Sequence, residues 1–231
     1  MKKVAHKPSK RFIEAAKKIE KNKAYPIAEA IALAKAASTV KFDAGLEVHV
    51  KLGINPKKSD QLVRASAALP HGTGKTIRVA VISTNGDQVK AAKAAGADLV
   101  GDNDLITEIK AGKIDFDILV ATPEAMKLLA PIAKMLGPKG LMPNPKDGTV
   151  SPNAAEAVAN LKKGKISYKN DDSGNIHVMI GKISFAEAKL IENFQSFMDS
   201  LAKAKPAAAK GTFIKNATIN ATMGPGIKIG L

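Results

Sequence analysis

Thr222-Met223-Gly224-Pro225-Gly226 places a hydroxyl, a long apolar side chain and two glycines side by side. A Thr hydroxyl can meet a phosphate oxygen or a ribose 2′-hydroxyl, and glycine lets backbone N–H groups come close to a ligand. Lys41-Phe42 pairs a cation with a ring that can pack on ribose or base, although Phe42 reads equally well as a core residue. Gly72-Thr73-Gly74-Lys75-Thr76 looks like the end of a P-loop. That motif needs a glycine where Leu69 stands, and a helix after its Lys-Thr pair whose N–H groups face the phosphates. A strand is expected there instead, so the segment reads as a linker. The four histidines, His6, His49, His71 and His177, show no metal-ligand spacing, and each reads as solvated or as a phosphate or hydroxyl contact. The acids are scattered, with no pair placed for general acid–base work. No catalytic residue, metal site or cofactor is expected, and the chain does not read as an enzyme.

These residues need elements to hold them. Lys7 to Asn22 reads as a basic helix, with Phe12, Ala15, Ala16 and Ile19 at helical spacing, and Pro26 opens a second helix through Ala34. Leu46, Val48, Val50 and Leu52 alternate with Glu47, His49 and Lys51, which predicts a half-buried strand. Ser59 to Ser66 reads as a short helix capped by Ser59. From Ile77 onward the rhythm changes. Strands are expected at Ile77–Ser83, Ala97–Val100 and Phe116–Ala121, and helices at Asp87–Ala95, Asp104–Lys110, Pro123–Leu136 and Pro152–Lys162. Apolar strands alternating with helices predict a parallel sheet covered on both faces. Beyond it, Asp171-Asp172-Ser173-Gly174 reads as the turn of a hairpin between Ile166–Asn170 and Asn175–Ile180. Ser184 to Lys203 reads as a long helix. Phe213 to Met223 reads as the last strand, with Phe213, Ala217, Ile219 and Met223 on one face and Thr218, Asn220 and Thr222 on the other.

Charge divides the chain in the same places. The 231 residues carry 36 basic and 21 acidic side chains, a net +15 that favours a polyanionic partner. Residues 1–67 hold 15 basic and 6 acidic groups, residues 68–160 hold 10 of each, and residues 161–231 hold 11 and 5. The excess therefore lies wholly at the two ends. Each end is too short for a secure core of its own, and domains are tolerated as insertions in surface loops. The expected architecture is a discontinuous α+β domain, residues 1–67 with 161–231, having helices on one face of an antiparallel sheet. Residues 68–160 are expected as an inserted, three-layer, Rossmann-like α/β domain. Cys is absent, which suits a reducing cytoplasm. The basic N-terminal stretch has no apolar run behind it, so it does not read as a secretory signal, and no apolar run is long enough for a membrane span.

Val40-Lys41-Phe42-Asp43, Glu47-Val48-His49 and Pro70-His71-Gly72-Thr73-Gly74-Lys75 resemble the ribosomal protein L-one family of the large subunit's mobile stalk. So do Ala95-Gly96-Ala97-Asp98, Asp115-Phe116-Asp117, Leu136 through Lys146, Lys210-Gly211-Thr212-Phe213 and Thr222-Met223-Gly224-Pro225. The resemblance spans nearly the whole chain, and its spacing is of the bacterial kind. It implies a two-ended domain that binds large-subunit rRNA at the stalk, contact with deacylated tRNA leaving the exit site, and repression through the protein's own operon mRNA. It also implies a monomer when free, working in the cytoplasm on the ribosome. The family's RNA-contacting positions fall here on Lys41, Phe42, Glu47, Thr222, Met223 and Gly224, joined by Asp171 and Ser173. Gly45 stands where the family commonly has Thr, and Asn216 where it commonly has Ser. The segments Leu69 to Gly74 and Asn153 to Asn160 are the expected hinges.

Overall fold

The computed structural model describes residues 8–20 and 23–230. His6, Lys7 and the expected helix end at Lys21-Asn22 lie outside them. In chain order the elements are α1 (Lys10–Lys17), α2 (Ile27–Ala37), β1 (Gly45–Leu52), β2 (Arg64–Ala68), β3 (Val79–Ile82), α3 (Gly86–Ala94), β4 (Leu99–Gly101) and α4 (Asn103–Lys110). Then come β5 (Ile118–Ala121), α5 (Met126–Leu129), α6 (Ala133–Leu136), α7 (Ala154–Lys162), β6 (Lys165–Lys169), β7 (Asn175–Lys182), α8 (Glu187–Lys203), β8 (Ile214–Ala221) and β9 (Ile227–Ile229). The fold is mixed α/β, with a four-stranded antiparallel sheet, a three-stranded parallel sheet and a two-stranded β2-β6 pair. The chain forms two compact units. The first takes the described residues up to Val63, Leu69–Gly74, and those from Tyr168 on; the second takes Arg64–Ala68 and Lys75–Ser167.

The first unit is built on a four-stranded sheet of order β7-β1-β8-β9, antiparallel throughout. Period-two patterning makes β1 its centre. Leu46, Val48, Val50 and Leu52 are at most 1% exposed, whereas Glu47, His49 and Lys51 remain half-buried on the other face. Helices α2 and α8 pack on each other, α2 against β8 and β9 and α8 against β7. Their apolar stripes, including Ile31 and Ala34 of α2 with Leu190, Phe197 and Leu201 of α8, are fully buried. Each large aliphatic or aromatic side chain so removed from water is worth about 1.5–3 kcal/mol. Asn193, also fully buried on α8, spends its amide on three backbone groups: it accepts from His71 N–H and donates to the carbonyls of Gly72 and Ile180. It thereby fastens the 69–74 segment to the helix.

In the second unit β4-β3-β5 form a parallel sheet. Alternate residues of β3 enter separate cores: Ala80 and Ile82 join Ile109, Leu129 and Leu136, while Val79 and Val81 join Ala92, Val158 and Leu161. The sheet is therefore covered on both faces. Beside it β2 pairs with β6, and Arg64 Nε donates to both Asp147 oxygens at 3.2 and 3.1 Å, fixing β2 to the Pro145–Asp147 turn.

Several expectations need correction. Ser59 to Ser66 is not a helix. Only Ser59–Gln61 forms a 3₁₀ turn, Ser59 makes no cap bond, and Arg64–Ala68 is a strand. Gln61 holds the turn through its side chain, accepting from Asn55 N–H at 2.8 Å, which leaves the next residues free to join a sheet. The helix expected over Pro123–Leu136 is broken into α5, a 3₁₀ turn at Ala130–Ile132, and α6. Pro131 lacks the N–H that a continuous helix needs and its ring crowds the preceding turn. The strands beside Asp171 do not form a paired hairpin: β6 pairs with β2, and β7 with β1. Phe213–Met223 is not the last strand, since β9 follows it, and Met223 lies past the end of β8 rather than on its buried face.

Candidate nucleic-acid interface

The exposed face of the antiparallel sheet is a grid set by strand register. Met179, Glu47 and Asn220 lie in one row across β7, β1 and β8; His177, His49 and Thr218 in the next; Asn175, Lys51 and Asn216 in the third. Lys228 of β9 extends the second row. Polar side chains can occupy these places because the helices cover only the opposite face.

At one end of the grid Thr222 N–H donates to the Gly45 carbonyl at 2.9 Å. Its hydroxyl lies 3.2 Å from both that carbonyl and Glu47 Oε1. One hydroxyl proton serves one acceptor at a time, so the arrangement leaves lone pairs for a donor from outside. Gly45 itself is buried, and a Cβ there would stand 2.7 Å from Met179 Sδ and 3.3 Å from the Thr222 hydroxyl. It contributes a backbone acceptor, not a side chain. Met223 follows with φ +62°, a left-handed backbone that is costly for a residue with a Cβ, and its side chain is 66% exposed. Gly224 closes the turn by donating to the Ala221 carbonyl at 2.7 Å.

Lys41 and Phe42 stand in the loop before β1, with Phe42 53% exposed, so it is not a core residue. The loop is tied down at Asp43, whose carboxylate accepts from Ser184 N–H and hydroxyl at 3.2 and 2.9 Å. At the other end of the grid Asp171 accepts from Ser173 N–H at 2.9 Å and Asn175 N–H at 2.7 Å. The Asn175 amide and His177 add to these bonds. Together they hold the Asp171 carboxyl well below the usual carboxylate range, the Asn175 N–H contributing most. Lys51 reaches the same turn and donates to the Ser173 carbonyl. Asn216 sits in the Lys51 row, and its Oδ1 is buried without a hydrogen-bond partner.

Thus Gly45, Glu47, Thr222, Met223 and Gly224 cluster at one end. Asp171 and Ser173 gather at the other, where Asn216 of β8 shares a row with Lys51 and Asn175. The link across the middle is what sequence reasoning missed. His49 Nδ1 and His177 Nδ1 are 2.7 Å apart, directly opposite in register. Asn220 Nδ2 donates to the Ala221 carbonyl, which turns its Oδ1 toward His49 Nε2 at 2.5 Å. Asn220, His49 and His177 are thus joined side chain to side chain across the three strands. His177 Nε2 lies 3.5 Å from Asp171 Oδ2, and His49 Nε2 3.8 Å from Glu47 Oε2. A polar chain so runs from Thr222 through Glu47 and both imidazoles to Asp171. The two histidines are 128 residues apart in sequence, and only strand register brings them together.

Among the described residues no group of three or more His, Asp or Glu is placed to hold a metal ion, and no helix is long and apolar enough to cross a membrane. Gly72–Thr76 leads into β3 rather than a helix, so no helix N-terminus is aimed at a phosphate there.

The grid offers acceptors, hydroxyls and flanking lysines to a ligand rich in hydroxyl groups and negative charge. The family described as Ribosomal protein L1p/L10e matches residues 33–225. The chain is 53% identical over 223 residues to the large ribosomal subunit protein uL1 of Neisseria meningitidis serogroup C (strain 053442), covering 96% of this chain and 96% of that one.

Proposed function

The chain belongs to the Ribosomal protein L1p/L10e family, a structural rather than enzymatic family of the cytoplasmic ribosome, and from that membership we propose that it binds large-subunit rRNA at the mobile stalk through the sheet grid of its first unit. The observation that carries the reading is the cluster at Thr222. A half-buried hydroxyl shared between Gly45 and Glu47 stands beside Met223, an apolar side chain held out from the surface on a left-handed backbone. Strained, exposed apolar residues beside polar acceptors suit ribose and base, which present hydroxyls and flat faces together. Lys41, Phe42, Gly45, Glu47, Asp171, Ser173, Asn216, Thr222, Met223 and Gly224 form this proposed contact set.

In this reading residues 1–67 and 161–231 make the basic RNA reader. Residues 68–160 form the inserted Rossmann-like domain of this reading, with Leu69–Gly74 as a hinge; the expected hinge at Asn153–Asn160 falls on α7, a continuous helix whose Ala157 and Val158 are buried in the second unit's core. The neutral charge of the middle supports the division, since a domain that does not hold the rRNA has no phosphates to neutralise. Exit-site tRNA and the protein's own operon mRNA are the further partners, through which it assists tRNA release and represses its own translation.

The test is binding to a large-subunit rRNA stalk fragment across a salt series, comparing the full chain with one in which 68–160 is replaced by a short linker. A folded, shortened protein that keeps affinity and salt slope supports the reading. Loss of specific binding by a folded, shortened protein overturns it and assigns the middle a share of the site.

A further inference from the structure

The proposed contact set leaves the basic helix α1 unused. Within eight residues it carries Lys10, Arg11 and Lys17, yet it buries only Ala15. Its large apolar residues stay at the surface, Phe12 37% and Ile13 43% exposed. Arg11 extends from the helix to both loops that hold the expected contacts. Its Nη2 donates to the Met223 carbonyl and its Nη1 to Thr39 Oγ1, each at 3.4 Å. Thr39 lies two residues before Lys41. These bonds take two of the five guanidinium N–H donors and leave the others for an anion. Phe12, Thr222 and Met223 line one crevice too narrow for a water molecule, so a ligand must lie across its rim. There it meets the Phe12 ring, the Met223 side chain and a cation together. A nucleobase with its phosphate is such a ligand, because it joins a π face to a negative charge.

We propose that Arg11 and Phe12 extend the RNA interface, Phe12 and Met223 seating one unstacked base while Arg11 holds its phosphate. The inference rests on the reading of Thr222–Gly224 as an RNA contact. RNA is favoured over an anionic membrane because the surface is continuous with that site, and because a helix of eight residues with two large apolar side chains has little to insert into lipid.

The test uses the full chain and the rRNA stalk fragment, with each variant's fold checked by circular dichroism and thermal melting. Phe12→Ala should weaken binding about tenfold at every salt concentration without changing the salt slope. Phe12→Leu, which keeps apolar cover but has no ring face, should weaken it similarly. Arg11→Gln should lower the slope by about one unit, and Arg11→Lys should restore it. If Thr222→Val weakens binding while Phe12→Ala and Arg11→Gln bind like the parent, the inference is overturned and the interface stands. If all three bind like the parent, the interface itself is misplaced and the inference falls with it. Parent-like affinity in Phe12→Leu would overturn the stacking seat. RNA binding unchanged in Phe12→Ala, together with loss of the parent's binding to phosphatidylglycerol vesicles, would overturn the choice of RNA.

Discussion

Thr222 makes the role of a single hydroxyl measurable. Valine matches threonine in shape but cannot donate to Gly45 or Glu47, nor accept from a ribose. Thr222→Val should weaken binding to the stalk fragment by about 1–3 kcal/mol, the usual cost of losing a desolvated hydrogen bond. A filter-binding or calorimetric titration reads it, and a loss of only a few tenths would remove Thr222 from the interface. Gly45 behaves differently. The family pattern suggests a hydroxyl there, but this chain fills the space with Met179 Sδ, 2.7 Å from where a Cβ would stand. The departure at Gly45 is thus matched by a neighbour on β7, which one position of sequence could not reveal. The histidine pair was equally hidden. Each residue looks solvated by itself, and the contact exists only because β1 and β7 align His49 with His177.

Elements were legible where a period was written into the chain. The alternation of β1 and the apolar run of β3 gave strands, and the helix expected over Pro152–Lys162 forms from Ala154, where the Asn153 side chain accepts from Glu156 N–H at 3.3 Å. They were illegible where a partner decides. Arg64–Ala68 has no clear period, and it becomes a strand because β6 offers an edge. At three residues, β9 is too short to show a pattern. The Asp171 turn closed as its residues predict, but its flanking strands found other partners, because turn chemistry fixes a reversal and not a ladder. Gly53 marks another place where an element depends on a distant segment. A Cβ there would stand 2.1 Å from the Thr212 carbonyl, just where Gly53 N–H donates to the Phe213 carbonyl at 2.7 Å. Neither is a flexible side-chain end that can move aside. Gly53→Ala should therefore destabilise the first unit by about 1–3 kcal/mol, the range for overpacking, as read by urea unfolding.

At the scale of the molecule, charge and function are expected to separate together. With the stalk fragment at about a hundred times its Kd, linkage should stabilise whichever unit binds by about 2.7 kcal/mol. Hydrogen exchange should show the added protection on β1, β7 and β8 and leave β3, β4 and β5 unchanged. Equal protection in the parallel sheet would mean that the second unit also grips the RNA. The order β7-β1-β8-β9 carries a further consequence for biosynthesis. The central strand is made early, and both of its neighbours are made after the entire second unit. While the polypeptide is growing, β1 has two unpaired edges and an apolar face with nothing over it, whereas the second unit already has most of its partners. Such delayed pairing is slow and open to aggregation. It also means that a prematurely terminated chain lacking β7 and β8 has no grid at all, so under the proposed reading an unfinished copy should not bind the stalk fragment.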